Sequence, residues 1–501
     1  MNFMIFNQDA SYYGQAIKNG DYRCTDLVEA VLENTKHFNS KLNAITETYP
    51  DSALQQAKKM DQYLAQMDAK TRQTLPPFYG VPYLLKDLGQ FYQGHPTTAG
   101  SSLLLKSISQ HTDRSLQQGL DAGLIYWGRS NVPEFGLKTV SDSKYFGKVN
   151  NPMNLSYNPG GSSGGAAAAV KAGIAPIAAA SDAGGSIRVP ASDTGLIGLK
   201  PSRGRIAQGP NRYRPVNGLA TSLVVSRSVR DVFHSLKTFQ ANQKTAIHHL
   251  PLIEAPTLES LEKPLKIAYS YQHPRGLETD PEAIIAMEKT LNTLKSLGHE
   301  VIEIDLPVDY EAVMEAYYTI MATETGQLVR QIEQNQTTIE FDQLDPLTWV
   351  TYQFAPNVPA SAYIKFSAQQ DLWVETMQTL HQTYDLYLTP TCSSPAVNNT
   401  DLVYPEELLS EIHQMDQLNY EAQLDVTKKA FDFTYLRTSY CPLLNITGQP
   451  GISLPVHETD KGLAMGVHFT AAIGEEYRLL QIAHSLEEVG LLHTDICSVT
   501  I

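Results

Sequence analysis

Short apolar runs alternate with apolar positions at helical spacing along the 501-residue chain. Over residues 9–70 the spacing is helical after a candidate N-cap at Thr25, which predicts an N-terminal helical scaffold within residues 1–75. The runs VPYLLK (81–86) and LIYWG (124–128) are typical of buried strands. The first part of the chain is therefore expected to combine helices with buried strands.

A regular unit of strand, helix and strand is predicted between residues 266 and 304. KIAYS forms the first strand, Asp280 and Pro281 begin the helix, Gly298 ends it, and HEVIEI forms the second strand. Strands that alternate with helices favour an α/β sheet.

The carboxyl-terminal part shows the same patterns. DLYLTPT (385–391) and GQPGISLPV (448–456) predict two more buried strands, and residues 479–489 predict an amphipathic helix. Residues 207–262 and 306–382 mix aromatic and polar residues irregularly, and we interpret them as peripheral segments that shape a pocket.

The composition is that of a folded protein, with 42% hydrophobic and 18% charged residues. The net charge is −15 and no basic block occurs, so direct binding of nucleic acid is not expected. The beginning of the chain lacks the features of a signal peptide, which favours a cytoplasmic protein. Four widely separated cysteines are interpreted as buried free thiols: Cys24, Cys392, Cys441 and Cys497.

One segment approaches the length of a membrane span. Residues 164–181 read GGAAAAVKAGIAPIAAAS, with Lys171 as their only charge. Ala and Gly insert weakly into a bilayer, and Pro176 would break a helix there. A membrane-spanning role is therefore not expected.

Three motifs contain side chains suited to nucleophilic or base chemistry. These are Lys86 in GVPYLLKD, the serines of PGGSSGG (159–165), and Ser186 in SDAGGSIRVP (181–190). None is decisive alone, because Gly-Ser loops also occur in linkers and phosphate sites, although neither loop contains the GxxxxGK[ST] of a P-loop. A lysine at the end of an apolar run is often a surface residue.

In their order and spacing these motifs resemble the amidase signature family, whose members hydrolyse carboxamides with a Ser, cis-Ser, Lys triad. The resemblance covers nearly the whole chain, through KLNAITET, GVPYLLKD, PTTAGS, NVPEFG, PGGSSGG, SDAGGSIRVPASDTGLIGLKPSRGR, LYLTPT and ITGQPGISLP. It implies an α/β fold, a single large domain over residues 1–501 with a central mixed β-sheet covered by helices on both faces. Within it we expect a signature core at 76–206, variable substrate-shaping segments within 207–382, and the last part of the sheet and a helix at 383–501.

The resemblance assigns Ser186 as the nucleophile, Ser162 as the proton-relaying cis-Ser after a cis Gly161–Ser162 peptide, and Lys86 as the base. A lysine is a base only when neutral, and its ordinary pKa is about 10.4, so burial must lower that pKa to roughly 7 to 8. Asp87 would oppose this shift unless its side chain points away, as alternation along a strand requires.

The AGGS turn is expected to stabilise an oxyanion. Glycine permits the backbone to turn its N–H groups into one concavity. The expected donors are the backbone N–H groups of Ala183, Gly184, Gly185 and Ser186. The segment between the two serine motifs is expected to form a helix over about 164–173 and a strand over about 174–180.

Two further groups of residues lie near the expected triad motifs: residues that orient the catalytic groups, and residues that depart from the family pattern. Ser163, Asp182 and Arg188 are expected to orient the catalytic groups. Many relatives have Thr at the position of Ser181 and Ser at that of Ala166, and neither replacement is expected to contact the triad.

The leading hypothesis is an amidohydrolase, acting on carbon–nitrogen bonds other than peptide bonds, that cleaves a small linear or cyclic amide. GLKPSRGR (198–205) resembles stand-alone amidases more than the GLKPTYGR form of the glutaminase subunit of the tRNA-dependent amidotransferase. The alternatives are a glutaminase-type subunit of a multi-protein complex and a catalytically silent binding protein on the same scaffold.

The family mechanism implies no cofactor, and the 14 histidines show no HExxH or similar metal-ligand spacing. The expected partner is a small-molecule amide, a homodimer is compatible with the sequence, and neither membrane nor nucleic acid is expected. Four tyrosines are candidates for pocket walls, although core positions are the more ordinary interpretation: Tyr126, Tyr145, Tyr317 and Tyr318.

Overall fold

A mixed sheet of eleven strands runs through the computed structural model, which describes residues 5–241, 243, 245–306, 308–334 and 338–497. A separate hairpin of β4 (Asp142–Ser143) and β5 (Gly147–Lys148) lies outside this sheet. The strands are β1 (Ile45–Thr48), β2 (Pro82–Lys86), β3 (Ile125–Ser130), β4 (Asp142–Ser143), β5 (Gly147–Lys148), β6 (Ala178–Asp182), β7 (Ile197–Lys200), β8 (Thr221–Ser226), β9 (Lys266–Tyr269), β10 (Glu300–Glu303), β11 (Leu386–Pro390), β12 (Gly451–Glu458) and β13 (Ala464–Thr470).

The order across the sheet is β1, β3, β2, β6, β8, β7, β12, β13, β11, β9, β10. The trio β3, β2 and β6 is parallel, as is the trio β11, β9 and β10. All other neighbouring pairs are antiparallel. The predicted α/β fold, a single domain with a large mixed sheet, is confirmed.

Helices flank this sheet. They are α1 (Ala10–Asn19), α2 (Cys24–Leu42), α3 (Pro50–Ala65), α4 (Ala69–Arg72), α5 (Arg114–Asp121), α6 (Gly164–Lys171), α7 (Arg188–Thr194), α8 (Val229–Phe239), α9 (Pro281–Ser296), α10 (Tyr310–Gln334), α11 (Pro346–Phe354), α12 (Ala360–Thr383), α13 (Glu406–His413), α14 (Tyr420–Tyr435), α15 (Pro442–Thr447) and α16 (Glu476–Glu488).

The buried apolar side chains form two clusters. The larger cluster surrounds the sheet and includes every residue of the Ala-rich run 166–170. A smaller one lies among α10, α11, α14 and α15. At Gly165, in α6, a Cβ would meet the backbone of Asn131 and Ala44. Close backbone packing thus requires a glycine at this position of the segment.

The N-terminal part departs from its predicted structure in two places. The scaffold also contains β1, which pairs with β3 at one edge of the sheet. The first residue of α2 is Cys24 and its N-cap is Arg23, whose backbone N–H and side chain both bond Asp26, so the N-cap predicted at Thr25 is wrong.

Three other expectations are also corrected. The strand expected at 174–180 lies at 178–182, because residues 172–177 connect α6 to the sheet. The segment 306–382 is not wholly peripheral, because side chains of α10 and α11 are buried in the smaller cluster, although α10 does line a cavity as expected. Cys497 is half-buried, whereas the other three cysteines are buried free thiols as expected. Within the described ranges, no helix is long and apolar enough to cross a bilayer.

Candidate active site

Lys86 is the last residue of β2, and its side chain lies among three serines. Its Nζ lies within hydrogen-bond distance of their Oγ atoms, 2.8 Å from that of Ser162, 2.9 Å from that of Ser163 and 3.0 Å from that of Ser181. Strands β2 and β6 are parallel neighbours, so their carboxyl ends meet at one edge of the sheet and bring Lys86 to Ser181. The expectation that Ser181 would not contact the triad residues is therefore wrong.

Burial lowers the pKa of Lys86 to about 7, although the carboxylate of Asp182 acts in the opposite direction. The lysine side chain is completely buried. Asp87 faces elsewhere, since its carboxylate accepts hydrogen bonds from the backbone N–H and the hydroxyl of Thr98. Lys86 is therefore neutral in a large fraction of molecules at neutral pH, the state that a base requires.

The serine loop is built on close backbone contacts. The Gly161–Ser162 peptide is cis. A Cβ on Gly161 would meet the backbone of Val140, and a Cβ on Gly136 would lie 3.2 Å from the Oγ of Ser162. The glycines therefore allow the loop to carry Ser162 to Lys86.

Asp182 organises the turn that carries Ser186. Its carboxylate accepts from the N–H groups of Gly185 at 2.8 Å and Ile187 at 3.1 Å, and it forms a bidentate pair with Arg188 at 2.9 Å for both contacts. Burial alone would raise the pKa of Asp182, but the charge and hydrogen bonds of Arg188 hold that pKa well below its ordinary value. The carboxylate is therefore ionised.

Asn445 completes this network and was not predicted from the sequence. Its Nδ2 donates to the Asp182 carboxylate at 2.9 Å, and its Oδ1 accepts from Arg188 at 2.7 Å. It lies on α15, immediately before the ITGQPGISLP motif. A single buried amide gives no spacing pattern that sequence reasoning can detect.

The hydrogen bonds of Asp182 show that one of the four predicted oxyanion donors is wrong. The N–H of Gly185 donates to Asp182 and is therefore directed away from a substrate. The hydrogen bonds within the described chain leave the N–H groups of Ala183, Gly184 and Ser186 without a protein acceptor. These three remain the predicted donors.

Tyrosines support the turn from the side of the helical cluster. A Cβ on Gly184 would overlap the hydroxyl of Tyr317, which lies 2.9 Å from the hydroxyl of Tyr435. Tyr317 is thus a core residue behind the turn. Tyr126 and Tyr318 are also buried, whereas Tyr145 is exposed.

A cavity of about 180 Å³ contains Ser162, Ser181 and Ser186 in its wall. Apolar side chains from several segments form much of the remaining wall, including Leu88, Phe135, Val216 and Met321. Three charged residues also line it: Asp113, Arg212 and Glu324. Among the described residues, no group of His, Cys, Asp or Glu is arranged to hold a metal ion.

The chain matches the family Amidase over residues 26–480. It is 33% identical to a lipoamidase of Enterococcus faecalis, over 92% of this chain and 60% of that protein, so it spans less than two thirds of that relative's length. It is 29% identical to the 6-aminohexanoate-cyclic-dimer hydrolase of Paenarthrobacter ureafaciens, over 96% of this chain and 94% of that protein.

A solved structure of a 6-aminohexanoate cyclic dimer hydrolase with substrate superimposes with a TM-score of 0.86, at 26% identity, over 99% of this chain and all of that one. A glutamyl-tRNA(Gln) amidotransferase subunit of Chromobacterium violaceum is 27% identical, over 93% of this chain and 94% of that protein. The predicted resemblance to stand-alone amidases more than to the amidotransferase is confirmed.

The chain belongs to the amidase family. Its predicted enzyme class, an amidohydrolase that acts on carbon–nitrogen bonds other than peptide bonds, is confirmed by this membership and by these relatives.

Proposed function

We propose that this chain hydrolyses the carboxamide bond of a small linear or cyclic amide through an acyl-enzyme on Ser186, with Ser162 and Lys86 as the proton relay. The observation that carries the proposal is the fully buried Lys86, whose Nζ lies 2.8 Å from the Oγ of Ser162 beside the cavity that also contains Ser186. Relatives named for a lipoamide and for a cyclic amide dimer support a small amide as the substrate class.

Acylation begins when neutral Lys86 accepts the proton of Ser162 while Ser162 accepts that of Ser186. The Oγ of Ser186 attacks the carbonyl carbon and forms a tetrahedral intermediate. When the C–N bond breaks, the proton returns through Ser162 to the leaving nitrogen, and the amine departs. Water then attacks the ester with the same relay, which releases the acid and restores the Ser186 hydroxyl.

The turn after β6 supplies the electrostatic stabilisation. The N–H groups of Ala183, Gly184 and Ser186 bind the oxyanion, and each such donor typically contributes about 3 kcal/mol to lowering the barrier. Asp182, paired with Arg188, holds this turn in place, since its carboxylate accepts hydrogen bonds from the backbone N–H groups of residues 185 and 187. The donors therefore need little reorganisation during the reaction.

Hydrolysis of a panel of aliphatic, aryl and cyclic amides by purified protein tests the proposal. Ser186→Ala is expected to abolish turnover and labelling by a fluorophosphonate probe. Ser296→Ala makes the same chemical change at an exposed position on α9 and is expected to leave both unchanged. Undiminished turnover by Ser186→Ala would refute the assigned nucleophile, and turnover only in the presence of a second chain would favour a glutaminase-type subunit.

A further inference from the structure

The wall of the cavity contains an ion pair that the proposed hydrolysis does not use. Arg212 lies in the connection between β7 and β8, and Glu324 lies on α10. An Nη of Arg212 is 2.7 Å from a carboxylate oxygen of Glu324, and both residues line the cavity that contains Ser186. The charged pair thus belongs to the cavity wall as well as to the surface.

A second depression of about 410 Å³ adjoins the cavity at this pair. Arg212, Glu324 and Leu328 line both spaces, and Tyr363 of α12 lines the outer one. The Arg212 and Glu324 side chains are 52% and 26% exposed. The pair therefore marks the boundary between an inner, largely apolar space and an outer polar one.

Both members of the pair retain hydrogen-bonding capacity. A guanidinium has five N–H donors, and within the described residues Arg212 donates from one nitrogen, to Glu324. The Glu324 carboxylate accepts from Arg212 and, at 3.3 Å, from the hydroxyl of Tyr363, which leaves lone pairs on both oxygens. An exposed ion pair of this kind contributes little to stability, so a ligand can reorganise it easily.

The signs of the charges select among ligands. A lone carboxylate next to Arg212 would also face Glu324, together with Asp113 elsewhere in the wall, and a lone ammonium next to Glu324 would face Arg212. A group that carries both charges pairs with both residues and adds no net charge. The pair is therefore most complementary to a zwitterion.

The course of the reaction indicates which part of the substrate reaches this boundary. While the acyl part is still bonded to Ser186, the amine must leave the cavity towards solvent, and the partly exposed Arg212–Glu324 pair lines both the cavity and the outer depression. We propose, on the basis of the proposed function, that Arg212 and Glu324 are specificity-determining residues that bind a zwitterionic group, an ammonium with a carboxylate, at the distal end of the amine part of the substrate.

Four octanoyl amides of similar length test this inference. The amine parts are hexylamine (neutral), 1,6-diaminohexane (cationic), 6-aminohexanoate (anionic) and lysine acylated on its side-chain nitrogen (zwitterionic). With the wild-type protein, kcat/KM is expected to be about tenfold higher for the zwitterionic amide than for the neutral one, mainly through a lower KM.

Single substitutions of Arg212 and of Glu324 are expected to change the order of kcat/KM among the four amides in opposite directions. Arg212→Gln leaves the Glu324 carboxylate without its cation and is expected to make the cationic amide the preferred substrate. Glu324→Gln is expected to make the anionic amide preferred. A merely structural role of the pair would lower all four values together and would not exchange this preference.

Arg230→Gln is the matched control, because the exposed Arg230 forms an ion pair with Asp9, also at 2.7 Å, and neither residue lines the cavity. It is expected to leave the ranking unchanged. The inference would be overturned if the wild-type protein had equal kcat/KM for all four amides, or if Arg212→Gln and Glu324→Gln kept the wild-type order of the amides. In either case, hydrolysis that depends on Ser186 would still support the proposed function. Absence of turnover with these four amides and with the broader panel would refute both.

Discussion

Replacing Lys86 by methionine is expected to remove a pH-dependent penalty on folding. The folded protein buries this lysine completely and its pKa is about 7, whereas a lysine in the unfolded chain has a pKa of about 10.4. Between these values the unfolded chain holds a proton that the folded chain lacks. The wild-type protein therefore gains stability as the pH rises through this window.

The size of the penalty follows from the two pKa values. Each pKa unit corresponds to about 1.4 kcal/mol, so the penalty is about 4 kcal/mol at pH 7 and about 1 kcal/mol at pH 9.5. The variant also loses the hydrogen bonds that Nζ forms with the hydroxyls of Ser162, Ser163 and Ser181, at about 1 kcal/mol each. Lys86→Met is thus expected to stabilise the fold by about 1 kcal/mol at pH 7 and to destabilise it by about 2 kcal/mol at pH 9.5.

Urea unfolding of the wild-type protein and of Lys86→Met at pH 7 and at pH 9.5 measures the effect of the substitution on the free energy of unfolding. This effect is expected to differ by about 3 kcal/mol between the two pH values. The lost hydrogen bonds do not contribute to the difference, because they are lost at both pH values. Lys59→Met, on the exposed side of α3, is the control and is expected to show no such change. An effect of Lys86→Met that is equal at both pH values would mean that Lys86 is charged in the folded protein, and the base assigned here would be refuted.

Three further predictions concern the activity and the turn that supports it. The kcat/KM of the wild-type protein is expected to fall about tenfold per pH unit below pH 6, since Lys86 becomes protonated; a flat pH–rate profile down to pH 5 would contradict this. Asp182→Asn leaves the buried Arg188 without its anion and is expected to cost about 3 to 5 kcal/mol of stability, measured by urea unfolding. Gly184→Ala is expected to lower kcat at least about a hundredfold, because its Cβ would overlap the Tyr317 hydroxyl and displace the turn; unchanged kcat would refute the role of the turn.

Much of the candidate site is predictable from the sequence because its signals are local. The strand ending at Lys86 and the glycine loops around Ser162 and Ser186 follow from short motifs, and family resemblance supplies their grouping. The predicted orientation of Asp87 also follows locally, from the alternation of side chains along a strand. Each of these inferences depends on residues within a few positions of one another.

Other features depend on which segments become neighbours. The parallel pairing of β2 with β6 brings Lys86 to Ser181, 95 residues away. The fold also brings Asn445 to Asp182, 263 residues away. The N–H of Gly185 donates to Asp182, which removes one predicted oxyanion donor. A hydrogen-bonding group has several compatible partners nearby, so only its position in the folded chain decides which one it binds.

The amidase family is predicted by the resemblance of motifs along nearly the whole sequence, and the α/β class by apolar runs that alternate with helical patterns, because both signals lie in short segments. No local pattern shows that α10 forms part of the cavity wall or that Arg212 pairs with Glu324 beside it; both follow from the fold. Burial and pairing depend on surfaces that distant segments assemble, so they are read only from the folded chain. The low pKa of Lys86 illustrates both levels, since a strand motif positions the side chain and the assembled core desolvates it.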